Sequence, residues 1–196
     1  MIFLDLFENL HLWDETIQIY NDSFPDWERE DPADIYNRVK TKKYKMVVLI
    51  HNNSVGGFYI LDTNEQLNYT LFTFLAVKES IRGKGLGTKL CLNAIEYFKN
   101  NLNTHFLLIE AQDSQAKLYS KLGFKEIDIK YFVPHYNSEK SIQMHLLCIT
   151  KNKTLSSDML KNIIKDIFIC GYYLKDDDTR IAKQLELIPK RIVFAH

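Results

Sequence analysis

The stretch from Tyr69 to Phe98 constrains this chain more than any other. Tyr69–Val77 (YTLFTFLAV) is an apolar run long enough to be a central strand. Arg82-Gly83-Lys84-Gly85-Leu86-Gly87-Thr88 follows it, and Leu86, Leu90, Ala94 and Phe98 then recur at helical spacing. A buried strand that enters an amphipathic helix through a glycine turn calls for helices laid on a sheet, an α/β layout. A helix start presents amides without partners and a partial positive charge, and glycines let an anion come close to them. Arg82 and Lys84 add positive charge nearby. A hydrogen bond to a charged oxygen contributes about 1.5–3 kcal/mol, so several together can hold a pyrophosphate. Glycines in such a turn can also serve backbone geometry alone. The spacing excludes two common phosphate loops: Walker A needs a glycine where Thr88 stands, and GxGxxG does not fit Gly83, Gly85 and Gly87.

The flanking segments complete the layout. Trp13, Ile17, Tyr20 and Phe24 predict an amphipathic helix over 11–24, ended near Pro25, and Pro32 suits the first turn of a second helix through Lys40. Lys45–His51 and Gly57–Asp62 read as strands joined through HNNSVG as a hairpin connection. Phe106–Glu110 is a short buried strand, and Ser114–Leu122 a compact helix with Asp113 or Ser114 as cap and Gly123 at its left-handed end. Ile127–Val133 and Ser141–Thr150 read as two further strands. With a strand at the start, the order is strand, helices, three strands, helix, strand, helix, two strands.

Composition narrows the function classes. Hydrophobic residues make up 46%, enough for a sizeable core without covalent staples. Lys plus Arg total 25 and Asp plus Glu total 25, which removes the general pull of a basic protein toward nucleic acid or anionic membranes. Cys91, Cys148 and Cys170 are scattered among apolar neighbours with no ligand spacing, so buried reduced thiols are expected rather than a disulfide framework or a metal site. The start carries acidic residues and no basic region before an apolar stretch, and no run reaches the ~18 residues of a membrane span. A cytoplasmic location is the expectation.

Two motifs resemble the GNAT superfamily of N-acetyltransferases. Arg82-Gly83-Lys84-Gly85-Leu86-Gly87 matches its [RQ]-x-x-G-x-[GA] element after the strand end Leu75-Ala76-Val77. Ala116-Lys117-Leu118-Tyr119-Ser120-Lys121-Leu122-Gly123-Phe124 looks like its tyrosine-bearing helix that ends in Gly-Phe. The resemblance covers residues 1–150, read as the acetyltransferase domain, and leaves 151–196 as a C-terminal helical extension. It implies a central mixed sheet of about six or seven strands flanked by about four helices. It also implies acetyl-CoA as cosubstrate without a metal, and a primary amine on a small molecule or peptide as acceptor. Backbone groups of Leu75, Ala76 and Val77 would pair with the pantetheine arm as an added strand does. Amides from Arg82 through Gly83, Lys84, Gly85, Leu86 and Gly87 to Thr88 would cradle the pyrophosphate, and Asp113, Ser114 and Ala116 would flank the cofactor's far side. Many relatives carry asparagine near Asp113; this chain does not.

Tyr119 would sit near the thioester sulfur. A phenol pKa near ~10 against ~8.5 for a thiol makes full proton donation uphill by about 2 kcal/mol, so hydrogen-bond stabilisation of the thiolate is the expected role. An alkylamine near ~10.4 costs about 4–5 kcal/mol to deprotonate at neutral pH, so a base is needed. Glu110, at the end of its strand, is the first candidate, followed by Glu28 and Glu30 and then by His135 and Tyr136. The FPDWERED and Tyr131–Tyr136 stretches are similar to segments of some bacterial members and are candidates for shaping the acceptor pocket. No Ser-His-Asp or Cys-His arrangement is readable, which favours direct transfer over a covalent enzyme intermediate. The competing reading is a module of the same fold that binds an acyl-CoA without turning it over.

In the extension, Met159, Leu160, Ile163, Ile164, Ile167 and Phe168 form a helical stripe, and Asp176 to Pro189 reads as another helix. The stripe must bury its apolar face on its own domain, against a second copy in a homodimer, or as a roof over the acceptor cleft. Its polar side mixes Lys161 and Lys165 with Asp158 and Asp166, unlike a membrane-surface helix.

Overall fold

The computed structural model describes residues 1–151 and 153–194. They form two compact units, one of Met1–Thr63 and Thr70–Leu102, the other of Asn64–Tyr69 and the chain from Asn103 onward. Among the described residues there are eight strands, one or two more than the resemblance implies, and six α-helices, four of them before residue 150 as the resemblance implies and two in the extension.

In the first unit β1 (Ile2–Asp5) pairs antiparallel with β2 (Tyr44–His51), and β2 with β3 (Ser54–Asn64). The strand order continues to β4 (Tyr69–Val77). The hairpin is tighter than HNNSVG suggests. His51 pairs with Ser54, and only Asn52 and Asn53 turn, at φ 51° and 61°, the left-handed pair that matches strand twist and that asparagine tolerates. Alternation along β3 sorts its two faces. Phe58 and Ile60 join Tyr20, Ile35, Val39, Phe74 and Ala76 in a core under α1 (Trp13–Ser23) and α2 (Pro32–Lys40). Tyr59 on the other face donates to Asn93 at 3.0 Å on α3 (Leu86–Asn101). Leu86, Leu90, Ala94 and Phe98 are all buried, as their spacing predicts.

In the second unit β8 (Ser141–Thr150) is the shared partner. It pairs antiparallel with β5 (Phe106–Ala111), with β6 (Lys125–Glu126) and with β7 (Tyr131–Pro134). The single strand expected over Ile127–Val133 is interrupted. The amide of Ile127 still donates to Leu146, but that of Asp128 turns to the Val193 carbonyl at 2.9 Å, and Ile127 bridges to Phe194. The C-terminal segment takes over part of the ladder, and residues 128–130 leave it before β7 begins.

α4 (Asp113–Lys121) lies between β5 and β6 in the chain, and Gly123 follows it at φ 98°, the left-handed position expected. The expected side-chain cap is absent. Gln112 occupies the cap position without a side-chain bond, and the Asp113 carboxylate is engaged by His145.

The extension forms α5 (Ser157–Asp166), capped by Ser156, a π-helical turn over Ile167–Gly171, and α6 (Thr179–Glu186). α6 starts later than Asp176 because the Asp178 carboxylate accepts from the Arg180 amide and caps it. Leu160, Ile163, Ile164, Ile167 and Phe168 are buried, with Phe168 6.0 Å from the Tyr131 ring. Burying each such side chain contributes about 1.5–3 kcal/mol. Among the described residues no helix is long and apolar enough to cross a membrane.

Candidate functional site

The turn after β4 has the features of an anion cradle. A short 3-10 turn, Glu79–Ile81, leads to Gly83 and Gly85 at φ 78° and 74°. Both are in the region that side chains avoid, which explains glycine at those two positions. Gly85 caps α3 without any side-chain bond to the helix, so no side chain of the cap covers the first-turn amides. At Gly87 an added Cβ would lie 3.7 Å from Val77 and 3.8 Å from Leu75, ordinary contact distances. Packing inside the protein therefore leaves room for a side chain there, and glycine keeps the helix start bare.

Arg82 departs from the role its charge suggests. Its Nε donates to the Val77 carbonyl at 2.9 Å and its Nη2 to Ser23 at 3.1 Å. It staples the turn to the end of β4 and to the end of α1, while Lys84 is left exposed. Leu75 is half-buried, with Ala76 and Val77 buried beside it.

In the second unit Ala116 and Tyr119 form the buried face of α4, and the Tyr119 ring meets Phe124 edge-on at 5.8 Å. Ser114 donates to Gln115 at 2.9 Å. His145, which the sequence reading missed, sits between two carboxylates, with Nδ1 2.6 Å from Glu126 and Nε2 2.8 Å from Asp113. Alternation along β8 put it beside apolar residues with no local signal of charge.

The hydrogen bonds to Glu126 and then to Asp113 raise its pKa above 6.5, burial opposing them. The stabilisation this gives is complete below the ordinary histidine value and is lost as pH rises through the raised one. Amide hydrogen exchange in the first turn of α4, corrected for its intrinsic pH dependence, should therefore accelerate relative to α3 across that window. His145→Gln should remove the dependence, and a constant ratio in the wild type would show the clamp to be inert.

Glu110 lies near the end of β5. The Tyr131 hydroxyl donates to its Oε1 at 2.5 Å and the Tyr172 hydroxyl to its Oε2 at 2.6 Å. Burial pushes its pKa up, and the two phenols pull it partly back. Each carboxylate oxygen keeps a second lone pair. Tyr131 lies in a stretch marked by the sequence. Tyr172 carried no signal, because the π-helical turn breaks the period that would have assigned it a face.

The other base candidates are placed differently. The Glu30 side chain is fully buried, 3.1 Å from Arg38 Nε and 2.8 Å from the Tyr44 hydroxyl that donates to it. His135 is held below the usual histidine range by burial and by Lys140. The Tyr136 hydroxyl donates to the Gly171 carbonyl at 3.1 Å. Burial pushes the Cys91 and Cys148 thiols up to about 12, away from the thiolate form a nucleophile needs.

The chain is similar in sequence and in fold to known proteins. The model of the acetyltransferase (GNAT) family matches residues 13–124. The uncharacterized N-acetyltransferase YvbK of Bacillus subtilis is 34% identical over 92 residues, 44% of this chain and 58% of that protein. The match thus spans less than two thirds of YvbK. The [ribosomal protein bS18]-alanine N-acetyltransferase of Haemophilus influenzae is 32% identical over 108 residues, 53% of this chain and 72% of that one. A solved structure assigned to the GNAT family, from Bacteroides thetaiotaomicron, superimposes with a TM-score of 0.72 over 89% of this chain and 100% of its own at 13% identity, a likeness of fold.

Proposed function

This chain belongs to the GNAT acetyltransferase family, and we propose that it transfers an acetyl group from acetyl-CoA directly to a primary amine. The observation that carries the reading is the bare start of α3 behind two left-handed glycines. The amides from Gly83 to Thr88 grip the coenzyme's pyrophosphate, and Lys84 adds charge at the exposed rim. The Arg82 amide, expected to join them, is already spent on the Glu79 carbonyl at 3.1 Å. The backbone of Leu75, Ala76 and Val77 pairs with the pantetheine arm. Asp113, Ser114 and Ala116 border the coenzyme, Asp113 with its carboxylate already committed to His145.

In the transfer step the amine nitrogen attacks the thioester carbonyl carbon, the carbon–sulfur bond breaks, and the sulfur leaves as thiolate. Tyr119 donates a hydrogen bond to that thiolate. Glu110 takes the proton that the ammonium must lose, directly or through water. The raised pKa of its half-buried carboxyl suits this task, since a stronger base accepts the proton with less cost. Two acceptor classes follow from the cost of that proton. An alkylamine at ~10.4 demands a base, whereas a peptide α-amine near ~7.7–8.0 costs only about 1 kcal/mol at neutral pH. The Haemophilus relative acts on an alanine of ribosomal protein bS18, so a peptide with N-terminal alanine belongs beside polyamines and amino acids in the test panel.

Calorimetry with coenzyme A, followed by thiol release from acetyl-CoA across that panel, tests the reading. Gly85→Val forces a β-branched residue into the left-handed region and should abolish the heat of coenzyme binding. Coenzyme binding without turnover of any amine would leave the non-catalytic module as the better reading. No binding at all would defeat both.

A further inference from the structure

The two phenols on Glu110 come from different parts of the chain, Tyr131 from β7 and Tyr172 from just beyond the π-helical turn of the C-terminal extension. We propose that Tyr131 and Tyr172 are positioning residues for Glu110, so that the extension completes the acetyl-transfer site rather than only covering the domain. The proposal rests on Glu110 being the base, as read above.

The geometry is that of a fixed carboxylate. One donor binds each oxygen, at 2.5 and 2.6 Å, the short distances of hydroxyl bonds to a charged acceptor. Donors on both oxygens prevent the carboxylate from rotating and leave one lone pair on each oxygen to receive a proton. The phenols are themselves held. Phe168 lies 6.0 Å from the Tyr131 ring and 6.1 Å from that of Tyr172, and Tyr136 stacks 5.0 Å from Tyr172.

The backbone that delivers Tyr172 is irregular. Its amide donates five residues back, to the Ile167 carbonyl at 3.1 Å, and the Leu174 amide donates to Phe168 at 3.0 Å. Each residue of an α-helix turns the chain by about 100°, so the residue added by the π-helical turn redirects every side chain after it. Tyr173 then sits at φ 57°, where glycine would end the helix without steric conflict. An aromatic residue persists in that conformation only where its surroundings fix it, as happens at functional sites. Ending a helix requires neither feature; aiming Tyr172 at Glu110 requires the first.

The ionisable groups around the site are few in kind. Tyr136 faces Tyr172, and Tyr69 faces Tyr131 while its own hydroxyl donates to Asp166 at 2.5 Å. Removing one phenol therefore acts on Glu110 mainly through the lost hydrogen bond. That bond favours the charged carboxylate, so its loss makes protonation easier.

The test is the pH profile of kcat/KM for Tyr172→Phe and Tyr131→Phe, which keep the rings. The acid limb should move to higher pH by about one unit in each, with the heat of coenzyme A binding unchanged. Titration of the Glu110 carboxyl by carbon NMR should show the same displacement without turnover. An unmoved limb in Tyr172→Phe, including one accompanied by a lower Tm, would make the phenol structural and overturn the proposal. A limb that survives in Glu110→Gln would overturn it too, while leaving acetyl transfer intact. Absence of turnover in the wild type would instead remove the reading beneath it. Should Tyr131→Phe fail to fold, Tyr172→Phe, at a half-buried position, decides alone.

Discussion

Glu110→Gln should lower kcat/KM for acetylation of an alkylamine by about two to four orders of magnitude without changing the heat of coenzyme A binding. The amide keeps the shape of the carboxyl and can still accept from one phenol, but it cannot take a proton. Its NH2 group also faces the second hydroxyl, which must then turn to act as acceptor. The expected loss depends on pH in a way that separates base catalysis from general damage. Near pH 7 almost all of the alkylamine carries its proton, and the variant has no group to remove it. As pH rises toward ~10.4 the free amine accumulates in solution and binds ready to attack, so the gap between variant and wild type should narrow. For a peptide with N-terminal alanine the gap should be smaller at every pH, because its α-amine is already largely free near pH 8. Steady-state thiol release on both acceptors from pH 6.5 to 10 reads all of this. A variant within about threefold of the wild type throughout would remove Glu110 from the chemistry, and a constant deficit at every pH would make its role structural.

Much of the fold was legible because single residues enforce it. Pro32 at the first turn and Asp31 accepting from the Ala33 amide set the start of α2. The apolar period of α3 and the unbroken run of β4 each admit one structure. The glycine turn was legible for the same reason, since Gly83 and Gly85 both occupy the left-handed region. What the sequence hid depends on partners far away in the chain. The ladder beyond Ile127 is diverted by Val193, a competitor that no window around residue 127 contains. Asp113 looked like a helix cap and is instead held by His145, 32 residues on. Arg82 belongs to the coenzyme motif by position, yet its guanidinium is spent on Val77 and Ser23. Glu110 was legible as a polar residue ending a buried strand, but its two phenols were not. Tyr172 reaches it only because the helix widens by one residue, and side-chain periodicity assumes that it does not.

Glu30 poses the opposite problem, a glutamate placed among the base candidates by its position in the loop between the first two helices, whose surroundings mark it as structural. Its side chain is fully buried against Arg38, whose own side chain is 17% exposed. The Tyr44 hydroxyl accepts from Arg38 at 2.8 Å and donates to Glu30 at 2.8 Å, and the Arg38 guanidinium lies 5.0 Å above the Tyr44 ring. The three groups thus satisfy one another. Glu30→Ala removes the anion and strands a nearly buried cation, which costs about 3–5 kcal/mol. For a chain of this size that lowers Tm by roughly 6–20 °C, measured by calorimetry or circular dichroism. The loss should fall on stability, and the acid limb of kcat/KM should stay where Glu110 puts it. Adding Arg38→Met to Glu30→Ala should recover much of the loss, because an apolar side chain of similar length needs no counter-charge. If Glu30→Ala instead keeps its Tm and loses turnover, the carboxylate faces the substrate, and the proton assigned to Glu110 has a second claimant.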